Sequence, residues 1–466
     1  MGLRIEFFVV LSFFLVTATA DGATYGSRAV PRASLARDAP APSLVAYTWG
    51  IGGDRVARPS NSRALPPLPV EFADRDREDV VAIAASGHTA FATASGALYT
   101  AGRNASDGGG GRGSPPIADS GQIGRDGNTD APGRVRGALV GEKVTSVGCG
   151  RYHTVVGTAS GAAYTFGLND RGQLGALGTM GVVLEGTKCA CDSGENCACA
   201  AHAREAKVGE ACFGGAACRS GEPKRVDFGD ADVRVATVAA GRYTSAVVST
   251  NGEVYVWGLN ACGGDAGLAR TLLADSRVAA KPRLIKGIFD VVKVDIGYVT
   301  MIFLTSKGEV YTCYTGFDGY AGLNEASSAR TTLERHSIFS SGSGAADVAT
   351  GRCHYVVSTV AGKVYTWGCS TVALGREYGE RSTPTPLGVS MSQEFVVAVA
   401  AGEYFTLMTT RQGDIFGVGE SNNGQLGIEG SGARLSSPSR LTSIPRGALA
   451  VAAGYQHAAA VVRVAS

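Results

Sequence analysis

The chain repeats itself at a spacing of about fifty residues, a period that points to solenoids, propellers or arrays. The segment Gly150-Arg-Tyr-His153-Thr-Val-Val shows the pattern. With His153 as an index position, a glycine stands eight residues on (Gly161) and an aromatic residue eleven on (Tyr164). The same two offsets recur from His88 (Gly96, Tyr99), Thr244 (Gly252, Tyr255), Thr300 (Gly308, Tyr311), His354 (Gly362, Tyr365) and Phe405 (Gly413, Phe416). At offset fourteen five copies have glycine, namely Gly102, Gly167, Gly258, Gly368 and Gly419, and the other has Tyr314. The later copies step by 54, 51 and 52 residues to a last index residue, His457. Earlier gaps of 65 and 91 residues hold insertions.

Each copy reads as four strands. In the copy indexed by Thr244, Val235-Ala-Thr-Val-Ala-Ala240 leads into a Gly-Arg-Tyr turn, and a second strand follows. Asn251-Gly252 marks a tight hairpin, where glycine takes the positive φ of a primed turn. Glu253-Val-Tyr-Val-Trp257 then runs to Gly258. A fourth strand starts near a proline: Pro132, Pro223, Pro282, Pro386 or Pro438. Proline donates no ladder hydrogen bond, so this strand belongs on the outer edge. Four-stranded units at this period predict an all-β propeller of antiparallel blades. The last copy has only two strands before the chain ends. Val45-Ala-Tyr47-Thr-Trp49-Gly50 supplies a third, and Leu65-Pro-Pro-Leu-Pro-Val70 a fourth. The seventh blade is thus expected to close with strands from both termini, which removes two open sheet edges.

These residues resemble the regulator of chromosome condensation repeat family. The resemblance rests on the Gly-x-x-His element, the Gly-x-Val-Tyr-x-Trp-Gly strand, and a Gly-Gln-Leu-Gly turn. The turn is intact at Gly172–Gly175 and Gly424–Gly427 and near-intact as Gly121-Gln-Ile-Gly124. It covers about residues 45–466 and implies a seven-bladed propeller. It implies less about activity, because one fold hosts many functions. Members of the family include a nuclear nucleotide exchange factor, a plant ultraviolet-B photoreceptor and secreted inhibitors of β-lactamases. The photoreceptor senses light with tryptophans in a Gly-Trp-Arg-His-Thr motif. Here Arg151-Tyr152, Arg242-Tyr243 and Arg352-Cys353 hold the corresponding places, and Trp49, Trp257 and Trp367 all lie in the Trp-Gly strand.

Composition narrows the remaining classes. Glycine, at 66 residues, is about twice its usual ~7% share and fits many tight turns. Lys plus Arg number 43 against 41 Asp plus Glu, a net charge of +2, so bulk electrostatic binding of nucleic acid is not expected. Residues 1–20 read as a signal peptide: Arg4, an apolar run from Phe7 to Val16, then Ala18-Thr19-Ala20. Residues 21–44 read as a linker, residues 45–466 as the propeller, and no membrane span is expected after cleavage. Four of the six histidines sit at the index position; since Thr244, Thr300 and Phe405 occupy the same slot, they are read as structural, not as metal ligands. No catalytic residue, cofactor site or metal site is expected, nor an enzyme.

Two insertions stand out. Residues 176–222 hold Cys189, Cys191, Cys197, Cys199, Cys212 and Cys218 among few large apolar side chains, a composition read as disulfide-stapled in an exported chain. Thiolate metal binding is the rival reading. The remaining cysteines, Cys149, Cys262, Cys313, Cys353 and Cys369, are expected as mostly buried small hydrophobes. The second insertion, from Ala105 to Asp119, is glycine-rich; the sequon at Asn104 opens it, an expected glycosylation site. In an antiparallel meander the Gly-Arg-Tyr turns share one face with both insertions. That face would carry Arg151, Tyr152, Arg242, Tyr243, Tyr298, Arg352, Tyr404 and Tyr455, residue types enriched at protein interfaces. The sequence therefore predicts a secreted, monomeric, non-enzymatic scaffold for a protein partner; the alternative is an exchange-factor-like regulator of a small GTPase.

Overall fold

A computed structural model describes residues 43–51, 64–72, 79–105, 120–126, 129–169, 171–175, 182–185, 189–191, 197–199, 202–205, 219–229, 231–259, 278–298, 300–314, 333–340, 344–369, 372–376, 381–388, 391–428 and 434–464. Seven four-stranded antiparallel sheets surround a central axis. Blade 3 shows the plan, with Val235–Ala240 innermost, then Thr244–Ser249, Val254–Leu259 and Val278–Leu284 outermost. Blades 1, 2, 4, 5 and 6 open with Val80–Ala85, Val144–Cys149, Val291–Ile296, Ala345–Thr350 and Val396–Ala401.

Blade 7 is the expected composite. Ala448–Ala453 and His457–Val464 from the C-terminal end pair with Ser43–Ile51 and then Ala64–Pro69 from the N-terminal end. The seam runs in unbroken register from Ser43↔Val464 to Gly50↔His457. Three prolines of the fourth strands sit where the ladder slips, since Pro223, Pro282 and Pro438 fall within register shifts, while Pro386 pairs in register with Tyr365. A missing donor is tolerated there because the outermost strand has no further neighbour to serve.

The core consists of layers between neighbouring blades. Leu98 of blade 1 packs with Phe166 of blade 2. Val155 packs with Trp257, Ala246 with Phe303, Ile302 with Trp367, and Val356 with Phe416. Leu407 meets Trp49, and Val461 meets Phe91, which closes the circle.

Glycine at offset fourteen is required by this packing. In six blades, blade 4 excepted, it has φ between +96° and +124°. A Cβ there would strike the second strand: at Gly167 it would lie 2.5 Å from His153 Cα, at Gly258 2.2 Å from Tyr243 O. Positive φ is also costly for any residue with a Cβ.

The index histidines bond to hydroxyls of the second strands rather than to a turn. His457 Nε2 meets Thr89 Oγ1 at 2.9 Å, His88 meets Thr154 at 2.6 Å, His153 meets Ser245 Oγ at 2.8 Å, and His354 meets Thr406 at 3.2 Å. Each bond crosses to the next blade. Thr154, Ser245 and Thr406 commit their own protons to the carbonyls of Gln122, Gln173 and Ala373, so the histidines must supply the Nε2 proton. This explains the Gly-Gln-Leu-Gly turn. Its Gln173 carbonyl also accepts Trp257 Nε1–H at 2.8 Å, and Gln425 accepts Trp49 Nε1–H at 2.9 Å. Burial pushes His88 and His153 down to about 3, and His354 to about 4.

One cysteine expectation needs correction. Cys353 and Cys369 form a disulfide, and Cys313 is also disulfide-bonded, so these three are not simple hydrophobes. The physical reason lies in the repeat. Cys353 and Cys369 occupy the slots filled elsewhere by Tyr152 with Leu168 and by Tyr243 with Leu259, which pack together. The same backbone bond, from the second residue's N–H to the first residue's carbonyl, joins all three pairs. Cys149 is free and buried. Cys189–Cys191 pairs antiparallel with Cys197–Cys199. The side chains of these four, together with Cys212, Cys218, Cys262, the leader and most of the linker, lie outside the described residues.

Candidate functional site: the channel mouth

The innermost strands wall an axial channel of about 180 Å³, lined largely by small residues such as Ala84, Gly148, Ala239, Ala400 and Ala452. At one end, each first-to-second turn places one residue at the rim, two before the index. Around the ring these are Ser86, Arg151, Arg242, Tyr298, Arg352, Glu403 and Tyr455. Neighbouring turns are tied by backbone bonds: Arg151 N–H donates to Gly241 O at 3.2 Å, Tyr298 N–H to Gly351 O at 3.3 Å, and Tyr455 N–H to Ser86 O at 3.1 Å. Glycine three before the index allows this approach, since a Cβ on Gly351 would lie 2.1 Å from Gly402 O.

The rim side chains form a belt. The Arg242 guanidinium lies 4.1 Å from the centre of the Tyr298 ring and 4.9 Å from Tyr243. Arg352 approaches Tyr298 from the other side at 4.9 Å and Tyr404 at 5.3 Å. Its Nη1 donates to Glu403 Oε1 at 2.7 Å. Glu403 also takes a hydrogen bond from the Tyr455 side chain, and Arg151 covers the Tyr455 ring at 4.5 Å. Burial opposes the charge on Arg352, yet Glu403 together with Tyr404 and Tyr455 outweighs it and holds the guanidinium above its ordinary pKa. At Glu403 burial wins and the carboxyl sits above its ordinary value, with Arg352, Tyr455 and Arg151 offsetting part of the shift.

Of the eight residues read from sequence, Arg151, Arg242, Tyr298, Arg352 and Tyr455 meet at the rim. Tyr152 and Tyr243 are buried behind it, their rings 5.6 Å apart. Tyr404 is half-buried one residue further from the channel. Sequence reasoning missed Ser86 and Glu403. Both fill the arginine slot of the turn with another residue type, so only the count from the index would have found them. Deeper in the channel, Lys293 pairs with Asp347 at 2.5 Å. Asp295 accepts the N–H groups of Ile296 and Thr350 at 3.0 and 2.8 Å; burial raises its pKa, against the pull of Lys293 and these two bonds. Asn104 stands half-buried at the start of its connection, with Ile123 N–H 3.5 Å from its Oδ1.

Such a ring of four-stranded blades, closed by strands from both ends and presenting one variable rim residue per blade, defines a seven-bladed propeller with a single-faced channel mouth. The chain contains regulator of chromosome condensation (RCC1) repeats, whose family models match residues 144–173, 235–263, 361–409, 396–425 and 412–461. It is similar to the human E3 ubiquitin-protein ligase HERC2, 28% identical over 291 residues, which are 58% of this chain but 6% of that protein. It is also similar to the ultraviolet-B receptor UVR8 of Arabidopsis thaliana, 28% identical over 337 residues, covering 66% of this chain and 73% of the receptor. Prp20p of Saccharomyces cerevisiae shares the fold, with a TM-score of 0.68 at 17% identity over 92% of this chain and 93% of that one. The three tryptophans, Trp49, Trp257 and Trp367, are buried in the blades. Among the described residues no helix is long and apolar enough to cross a membrane.

Proposed function

We propose that this chain is a secreted or secretory-pathway scaffold, without enzymatic activity, that binds a protein partner through the channel-mouth face. The observation that carries the reading is the rim itself. Seven equivalent backbone positions hold Ser, Arg, Arg, Tyr, Arg, Glu and Tyr, a mixed set rich in interface residue types on an otherwise repeated frame. The Cys353–Cys369 disulfide joins the two connections of blade 5 on that face and suits an oxidising compartment, as do the leader and the Asn104 sequon. The work that describes the Prp20p structure concerns binding of that protein to Gsp1p and histones, both protein partners.

The test places a photo-crosslinking amino acid at Tyr404 on this face or at Val360, which is exposed on the opposite face, in the full chain, and sequences the mature N-terminus. Crosslinks from position 404 alone and a start at Asp21 are expected. Crosslinks from 360 alone would move the partner to the other face. Retention of Met1 in the cytosol would overturn export, and a small GTPase crosslinked there would favour the exchange-factor reading.

A further inference from the structure

The described rim residues are not electrically balanced among themselves. Three arginines, Arg151, Arg242 and Arg352, face one carboxylate, Glu403. Glu403 is bonded to Arg352 and lies within the field of Arg151. Arg242 has no ion pair among the described residues, and its Nε is buried without a hydrogen-bond partner. Its guanidinium is instead held between Tyr243 and Tyr298. Aromatic contact fixes the plane of an arginine but leaves its in-plane donors unused, and those donors match a carboxylate. The charges below the rim do not supply one: Asp347 is taken by Lys293 and the N–H groups of Val348 and Val399, and Asp295 by two backbone N–H groups.

From this we infer that the channel mouth receives an acidic segment of a protein partner, one carboxylate of which pairs with Arg242 while Arg151 and Arg352 add longer-range attraction. The inference rests on the proposed use of this face and adds the chemistry of the partner. A peptide fits better than a nucleic acid. Among the described rim residues three arginines stand against one carboxylate at a narrow opening, whereas a phosphate backbone is gripped by many contacts along a stripe. The arrangement also assigns a role to Glu403: it occupies Arg352 and so competes with an incoming carboxylate.

The experiment measures binding of a fluorescein-labelled octaglutamate peptide to the full chain at low salt, with octaglutamine and an eight-residue deoxythymidine oligonucleotide as comparators. Octaglutamate should bind, and octaglutamine should not. Arg242→Gln should weaken binding by about tenfold, roughly the factor for one good charge-assisted contact. Glu403→Gln should tighten it several-fold by freeing Arg352, an effect that damage to the fold would not produce. Arg352→Gln should weaken it less than Arg242→Gln. Unchanged affinity in Arg242→Gln, weaker binding in Glu403→Gln, or tighter binding of the oligonucleotide than of octaglutamate would overturn the inference. The two readings separate cleanly. A partner crosslinked at position 404 whose capture ignores Arg242→Gln keeps the face and removes the acidic segment. Octaglutamate binding lost in Arg242→Gln, with partner crosslinks only at 360, does the reverse.

Discussion

Two circles of residues run round this propeller, two positions apart in sequence, and they obey different rules. The index circle is His88, His153, Thr244, Thr300, His354, Phe405 and His457, all buried. Its four histidines and Thr300 bond to the next blade and Phe405 packs in the layer shared with blade 7, so each of these is constrained by a neighbour, while Thr244 bonds Leu259 O of its own blade. The rim circle two residues earlier shares its backbone bonds with the neighbouring turns, but its side chains point to an open mouth. There the residue type changes from blade to blade while the backbone frame stays the same. Within one turn, the backbone serves the fold and one side chain faces the mouth, where the proposed partner would meet it.

The largest expected effect breaks the frame. Deleting residues 43–70 removes both N-terminal strands of blade 7, together with Trp49 and its bond to Gln425 O. His457–Val464 then loses its partner strand and the core layers on both sides of blade 7 open. Cooperative unfolding by circular dichroism should be lost or its midpoint lowered by more than about 10 °C, since ~1 kcal/mol shifts a large domain by only a few degrees. An unchanged midpoint would show that the seam contributes nothing.

Acid should weaken the index circle next. His88, His153 and His354 have folded pKa values below the ordinary 6.5, so the unfolded chain binds more protons as pH falls. Their contribution is complete above about pH 6.5 and declines toward the folded values near 3 to 4. At pH 5 the loss is about 2 kcal/mol per histidine. Asp295, whose pKa is raised by burial, acts in the opposite sense over the carboxylate range. Melting at pH 5 should fall well below that at pH 7.5, and His153→Phe should reduce the difference, because Phe405 already fills this slot in blade 6. An identical acid response in His153→Phe would mean that His153 does not titrate on unfolding.

The index circle was legible in the sequence because packing against an identical neighbour imposes a period, and a period survives the loss of any one residue. Gly167 and Gly368 recur for that reason, and so does the composite seventh blade, whose halves could be matched by offset alone. The rim was only partly legible. Residue type suggested Tyr152 and Tyr243, yet they turn inward against Leu168 and Leu259, while Glu403 went unread because a carboxylate replaces the expected arginine. The Cys353–Cys369 bond was hidden for a related reason. Two slots sixteen residues apart meet only after the second and third strands have paired, and in blades 2 and 3 the same slots hold a tyrosine and a leucine.

The smallest effect gives the sharpest contrast between the circles, and blade 3 contains both halves of it. Trp257 is fully buried, belongs to the layer between blades 2 and 3, and donates to Gln173 O. Trp257→Ala should cost about 3–5 kcal/mol, the range for removing a large buried aromatic side chain. Arg242→Gln removes a guanidinium that bonds no buried partner and rests on two tyrosine faces. Cation–π contact at a partly exposed site is worth about 0.5–1 kcal/mol, so the denaturation midpoint should move little. Urea unfolding of the two variants side by side decides the matter. If Arg242→Gln destabilises the chain as much as Trp257→Ala, the arginine–tyrosine belt is a clasp that holds the ring shut. The rim would then be part of the frame, and its variation from blade to blade would record packing rather than a surface free to meet a partner.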